Sequence, residues 1–102
     1  MEKIAILLLG KRVAPCFGFC DEVLFLEGEG GSDLHPRVQP FPAEDPWSVC
    51  RFLARQGVRK VVCNGIWSFH KEWLKTRGIE VVDDQWGPLD EALRRIFPGA
   101  PP

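Results

Sequence analysis

With 102 residues, 45% of them hydrophobic and 26% charged, the chain has the size and composition of one globular domain, which excludes general disorder. Thirteen basic against fourteen acidic side chains leave a net charge of −1, so no overall field draws the chain to nucleic acid or to an anionic membrane. The longest apolar run, Ile4 to Leu9, is far shorter than the about twenty residues a spanning helix needs.

Glu2-Lys3 precede that run and charged Lys11-Arg12 follow it before any small-residue cleavage site, so no secretory signal is expected. The expected compartment is the reducing cytoplasm. There the four cysteines are thiols or metal ligands rather than a disulfide framework.

The run Ile4-Ala5-Ile6-Leu7-Leu8-Leu9, ended by Gly10, suits a strand covered on both faces. Lys11 to Phe19 reads as a loop broken by Pro15 and Gly18. Val23-Leu24-Phe25-Leu26 is a second strand, and Gly28-Glu29-Gly30-Gly31-Ser32 can supply the positive φ angles of a hairpin turn. Arg37 to Phe41 is the returning strand. Its prolines at 36, 40 and 42 cannot donate to a ladder, which predicts an edge position. Asp45-Pro46 reads as a helix cap followed by the first helical residue, with Val49, Phe52 and Leu53 on one face and Gly57 as the stop.

Lys60-Val61-Val62-Cys63 is a buried strand ending at Asn64-Gly65. Ser68 is read as the cap of a second helix that buries Phe69, Trp73 and Leu74 and ends at Gly78. Ile79 to Val82 is a last strand. A helix from about Leu89 to Phe97 buries Leu89, Ala92, Leu93 and Ile96. The expectation is one domain over residues 1–97, with a frayed Pro-rich tail at 98–102. The second half, β-α-β-α, forces parallel strands through right-handed crossovers. The short links of the first half make it an antiparallel meander. Both are satisfied by a three-layer α/β/α domain around a mixed five-stranded sheet with strand order 3-2-1-4-5.

Charge is uneven. Between Arg51 and Arg77 lie seven basic residues and only Glu72 acidic, which reads either as the solvated faces of two helices or as a positive rim, including Arg55, Arg59 and Lys60, for an anionic ligand.

Open α/β sheets bind ligands beyond the carboxyl ends of their parallel strands. Three loops fall there: Lys11–Cys20, Cys63–Ser68 and Asp83–Pro88. Cys16, Cys20 and Cys63 are candidate metal ligands, since three thiolates suit a soft metal, a copper centre or an iron–sulfur cluster, although Cys63, at a strand end after Val61-Val62, reads more simply as core. The C-x3-C pair at 16 and 20 is a weak pattern on its own. His70 is a candidate fourth ligand, against the plainer reading of a solvated helix-surface histidine. His35 is a weaker candidate. Cys50, beside an apolar stripe, is expected to be packing. Phe17, Gly18, Asn64, Gly65 and Trp67 are the candidate contacts for a bound group, because Gly65 and the helix start after Trp67 offer backbone N–H groups to an anion. Trp67, Trp73 and Trp86 are expected in the core and at the rim, where Trp67 and Trp86 could shield a cluster from water. Asp83-Asp84 is a carboxylate pair that could hold a hard cation, but with no third acid in view it better suits turn and capping duty. No P-loop, dinucleotide fingerprint or nucleophile elbow is present, and no base–nucleophile set is recognisable.

Several stretches together resemble the dinitrogenase iron–molybdenum cofactor biosynthesis family, the nitrogenase accessory factor type of small domain. They are Lys3-Ile4-Ala5-Ile6; Val13-Ala14-Pro15-Cys16-Phe17-Gly18, which is similar to that family's Val-Ser-Pro-His-Phe-Gly loop; Phe52 to Val58 leading into Val61-Val62-Cys63-Asn64-Gly65-Ile66; Gly78-Ile79-Glu80-Val81; and Leu89-Asp90-Glu91-Ala92-Leu93. The resemblance runs from about Lys3 to Phe97. It implies a ribonuclease H-like fold without nuclease chemistry. It also implies a non-enzymatic role: binding or carrying a metal–sulfur cluster, of iron–sulfur or iron–molybdenum type, between donor and acceptor proteins during cofactor assembly. The family's loop histidine falls on Cys16 and the first glycine of its Gly-Gly turn falls on Cys63. Those exchanges favour a thiolate-bound metal or iron–sulfur cluster over nitrogenase cofactor itself. The alternatives are a thiol redox protein cycling Cys16 and Cys20, and an interaction module that kept the scaffold without the ligand.

Overall fold

The computed structural model describes residues 2–28 and 34–97. The turn expected at Gly28–Ser32 lies, beyond Gly28, outside these residues, as does the tail at 98–102.

The first apolar run forms β1 (Glu2–Leu9), which sits in the middle of the sheet with its side chains alternating between two buried faces. A two-residue strand, β2 (Arg12–Val13), folds back antiparallel on its end. Then come β3 (Phe19–Gly28), β4 (His35–Glu44), α1 (Pro46–Arg55), β5 (Lys60–Val62), α2 (Ser68–Thr76), β6 (Glu80–Val82) and α3 (Leu89–Ile96). The sheet has six strands, not five. Residues 12–13, expected as loop, pair with β1, so the order differs from the expected five-stranded 3-2-1-4-5 by this added strand: the five expected strands run β4-β3-β1-β5-β6, and β2 is attached to β1. β1–β3 and β3–β4 are antiparallel, and β1–β5 and β5–β6 are parallel, as the link lengths require.

β4 lies at the edge, where its three prolines are tolerated. It is longer than expected, because ten residues follow β3 through a register shift between Cys20 and Glu22. Asp45 caps α1: its carboxylate accepts from the Trp47 N–H at 3.2 Å and the Ser48 hydroxyl at 3.1 Å, and Pro46 opens the helix. Those bonds hold the Asp45 carboxyl below its usual pKa. The start of α2 differs from expectation. Trp67 occupies the cap position without a side-chain bond, and Ser68 is already helical.

The core divides by strand parity. Ala5, Leu7, Val23, Phe25, Val61 and Cys63 face one way, against Val49, Leu53 and Leu74 of α1 and α2. Ile4, Ile6, Leu8, Leu24 and Val62 face the other way, against Ala92 of α3 with Leu89, Leu93 and Ile96 partly buried beside it. Among the described residues no helix is long and apolar enough to cross a membrane.

Candidate functional site

The loop after β1 and the loop after β5 are joined backbone to backbone. The Phe17 N–H donates to the Gly65 carbonyl at 2.7 Å, and the Gly65 N–H donates to the Pro15 carbonyl at 3.0 Å. Cys16 thus lies opposite Gly65 in a short parallel bridge. A Cβ at Gly65 would come within 3.3 Å of the Pro15 oxygen, so the close approach suits glycine. The third loop is tied in as well. The Gln85 N–H donates to the Cys63 carbonyl at 3.1 Å, and the Val13 N–H donates to the Gly87 carbonyl at 2.9 Å. The three loops expected to meet do meet.

The four thiols do not share one environment. Cys16 is exposed, whereas Cys20, Cys50 and Cys63 are buried. Cys20 belongs to β3 rather than to the loop, and its thiol donates to the Phe41 carbonyl at 3.5 Å, toward the edge strand. Burial, and then the neighbouring Asp21 carboxylate, push its pKa up to about 11. Cys63 lies just past β5 in the core, fully enclosed. Burial and then the Asp83 carboxylate push it up to about 12. Cys50 is enclosed on α1 as expected, pushed up to about 11 mainly by burial. These three thiols are neutral packing groups near neutral pH. Among the described residues no three His, Cys, Asp or Glu side chains come together as a group able to hold a metal ion. A closed site built from Cys16, Cys20, Cys63 and His70 is therefore not what these residues assemble.

His70 is the largest departure from the sequence reading. It is only 6% exposed instead of solvated. Its ring lies 4.3 Å from that of Phe69, 4.6 Å from that of Trp47 and 6.1 Å from that of Phe17, centroid to centroid. Burial lowers its pKa, with Asp45 pulling weakly the other way, so the imidazole is held neutral. Phe17 is buried with it, which anchors the Cys16 loop to α2. Phe69, expected on the buried stripe, is half exposed, and Trp67 and Trp86, expected at core and rim, are more exposed still. Trp73 is half-buried under the Arg77 guanidinium. Asn64 is half-buried beside Gly65. His35 is an exposed residue of β4 rather than of a loop. Asp83 forms an ion pair with Lys71 at 3.0 Å, and Asp84 turns the chain at φ 59°.

The sequence marks Gly18 as a loop breaker and a candidate contact for a bound group, but not as a packing point between the loop and α1. At φ +108° it lies against the first residue of α1, where a Cβ would meet Pro46 Cγ at 2.6 Å and the Pro46 backbone at 2.8 Å. The signal available was the Phe17-Gly18 pair itself: a large apolar side chain beside a glycine in a short loop marks close approach to another element.

Fold and site together define a mixed α/β domain with one accessible thiol on joined loops at the carboxyl end of its parallel strands. No family model and no curated protein sequence matches the chain. Solved structures do. A protein called PH0822 is 24% identical with a TM-score of 0.81, over 96% of this chain and 90% of that one. A candidate NifB protein from Thermotoga, of the DUF35 family, is 22% identical with a TM-score of 0.75, over 97% and 90%. The apo form of the orange protein from Desulfovibrio gigas is 18% identical with a TM-score of 0.77, over 97% and 89%. At these identities the likeness is one of fold, and it spans nearly the whole of each chain.

Proposed function

We propose that this chain is a non-enzymatic carrier of a metal–sulfur cluster, iron–sulfur or iron–molybdenum in type, which it holds as cargo between donor and acceptor proteins on a three-layer, ribonuclease H-like scaffold. The observation that carries this reading is the exposed Cys16 on a loop fixed to Gly65 by two backbone hydrogen bonds. A preformed cluster brings bridging sulfides of its own; Cys16 adds one terminal thiolate, and the metal positions it leaves open are those that ligands from the donor or acceptor protein would fill during transfer. Cys16 is the anchoring thiolate. The Phe17-Gly18 turn and the Asn64-Gly65 turn shape the seat, and exposed Trp67 limits water beside it. Cys20, Cys63 and His70 support the seat from within the fold. The names of the fold neighbours, a NifB protein and the orange protein, agree with a place in cofactor assembly.

Anaerobic reconstitution with iron and sulfide, and separately with a preformed cluster, tests the reading. Stoichiometric metal with visible charge-transfer absorption is expected for the native protein and for Cys63→Ala, and its loss is expected for Cys16→Ser. Absence of bound metal, or binding that survives Cys16→Ser, overturns it. The exposed Trp67 and Phe69 favour one alternative, an interaction module, which predicts partner binding indifferent to Cys16→Ser. A Cys16–Cys20 redox pair is disfavoured because Cys20 is enclosed and held protonated.

A further inference from the structure

A concavity lies on the α3 face, between the β5–β6 edge and the last turn of α3. Its volume is about 330 Å³, and its lining is Lys60, Val82, Gln85, Trp86, Arg95 and Ile96. Two of the six are cations and none is acidic. Among the described residues Lys60 has one carboxylate within reach, Glu80 at 4.0 Å with a two-thirds exposed side chain, a weak pairing that another anion can replace. Arg95 has no carboxylate within ion-pair distance among the described residues. Its guanidinium is instead set 4.4 Å over the Trp86 ring and donates to the Trp86 carbonyl. That contact fixes a normally floppy cation beside an indole that is still 58% exposed. Val82 and Ile96 give the floor an apolar side, and the Gln85 amide, held only by a long 3.4 Å bond to the Asp83 carbonyl, adds a polar group.

Each feature answers to one part of a ligand. The free face of an indole stacks a flat ring, two fixed or lightly paired cations take a negative group, and the volume falls at the lower end of small-molecule sites, near that of a mononucleotide. We infer that this concavity binds a small organic anion bearing a flat ring, of mononucleotide size. Gln85 and Trp86 belong to the loop whose backbone is tied to Cys63, but the side chains that line the concavity are not those that form the Cys16–Gly65 bridge, so the two sites are tested by different substitutions.

AMP is the probe, titrated into the full chain by calorimetry beside adenosine and inorganic phosphate. Saturable, one-to-one binding of AMP is expected, with adenosine and phosphate each about tenfold weaker or more. Arg95→Gln and Lys60→Gln are each expected to weaken AMP by about tenfold, the scale of a lost charge-assisted hydrogen bond. Trp86→Phe, which keeps a ring, is expected to retain binding that Trp86→Ala loses. The substituted side chains lie on the surface, and an unaltered circular dichroism spectrum confirms that each variant folds. No saturable AMP binding, equal binding of phosphate alone, or affinity unchanged in the two Gln variants overturns the proposal. Any of these results leaves Cys16-dependent metal loading where it stood.

Discussion

Cys16 differs from the other three cysteines in access before it differs in anything else, and access governs thiol chemistry because the thiolate must reach its partner. Cys20 and Cys50 are pushed up to about 11 and Cys63 to about 12, chiefly by burial, so near neutral pH they are both enclosed and protonated. With a thiol-specific reagent, one sulfur per native chain should react promptly and the other three only after denaturation, and Cys16→Ser should abolish the prompt phase. A second prompt thiol would contradict this placement. His70 makes the complementary case. Its neighbours Trp47 and Phe17 come from elements distant in sequence, so no local pattern could have revealed its burial. Its folded pKa lies below the ordinary 6.5, so the unfolded state takes up a proton first as the pH falls. Stability supplied by the neutral ring is whole above about 6.5 and is lost as the pH drops through the folded value. In an NMR titration the His70 ring should turn over below 6.5, and a midpoint at or above that value would show the ring to be solvated.

The elements that the sequence made legible are those whose ends carry their own chemistry. Asp45 and Pro46 define the start of α1 without help from tertiary structure, and Ile4 to Leu9 defines a doubly buried strand by composition alone. The start of α2 was misread because Ser68 has the chemistry of a cap, but Trp67 occupies the position. β2 was missed because two residues carry no period. Replacing Asp45 with Ala removes the acceptor for Trp47 N–H, and a drop of a few degrees in melting temperature is expected. The cap also weakens as the pH falls through the lowered pKa of Asp45 from its ordinary 3.8, so the Asp45→Ala protein should lose less of its stability in acid than the native protein. Gly18→Ala acts between elements rather than within one. The new methyl must displace the Pro46 backbone at 2.8 Å, in a conformation L-residues rarely adopt. A loss of about 2 kcal/mol or more is expected in denaturant titrations. A change within a few tenths would mean that the loop and α1 move apart easily, and the Cys16 loop would then not be a fixed seat.

Across the whole molecule, strand parity divides the side chains between two apolar clusters, and that division explains why the candidate site was only partly readable. The convergence of three loops followed from topology, because parallel strands bring their carboxyl ends together. The orientation of individual sulfurs did not follow. Val61 and Cys63 share parity with Ala5 and Leu7, which directs Cys63 into the cluster under α1 and α2, and the shift between Cys20 and Glu22 decides where Cys20 points. The result is three enclosed thiols in one small domain, with a common consequence at high pH. Each folded pKa is raised above the ordinary 9, so above that value the unfolded chain releases thiol protons that the folded chain retains. The stability tied to these neutral thiols is complete below about 9 and declines as the pH climbs toward 11 and 12. Denaturant midpoints should therefore fall steeply over that interval in reducing buffer. Replacing Cys63, fully enclosed and the most strongly shifted of the three, with Ala should lower stability at neutral pH through the lost packing yet flatten the alkaline decline. An alkaline slope unchanged in Cys63→Ala would mean that its sulfur is reached by water in the folded chain, and would reopen the question of whether it serves the loop beside Cys16 rather than the core.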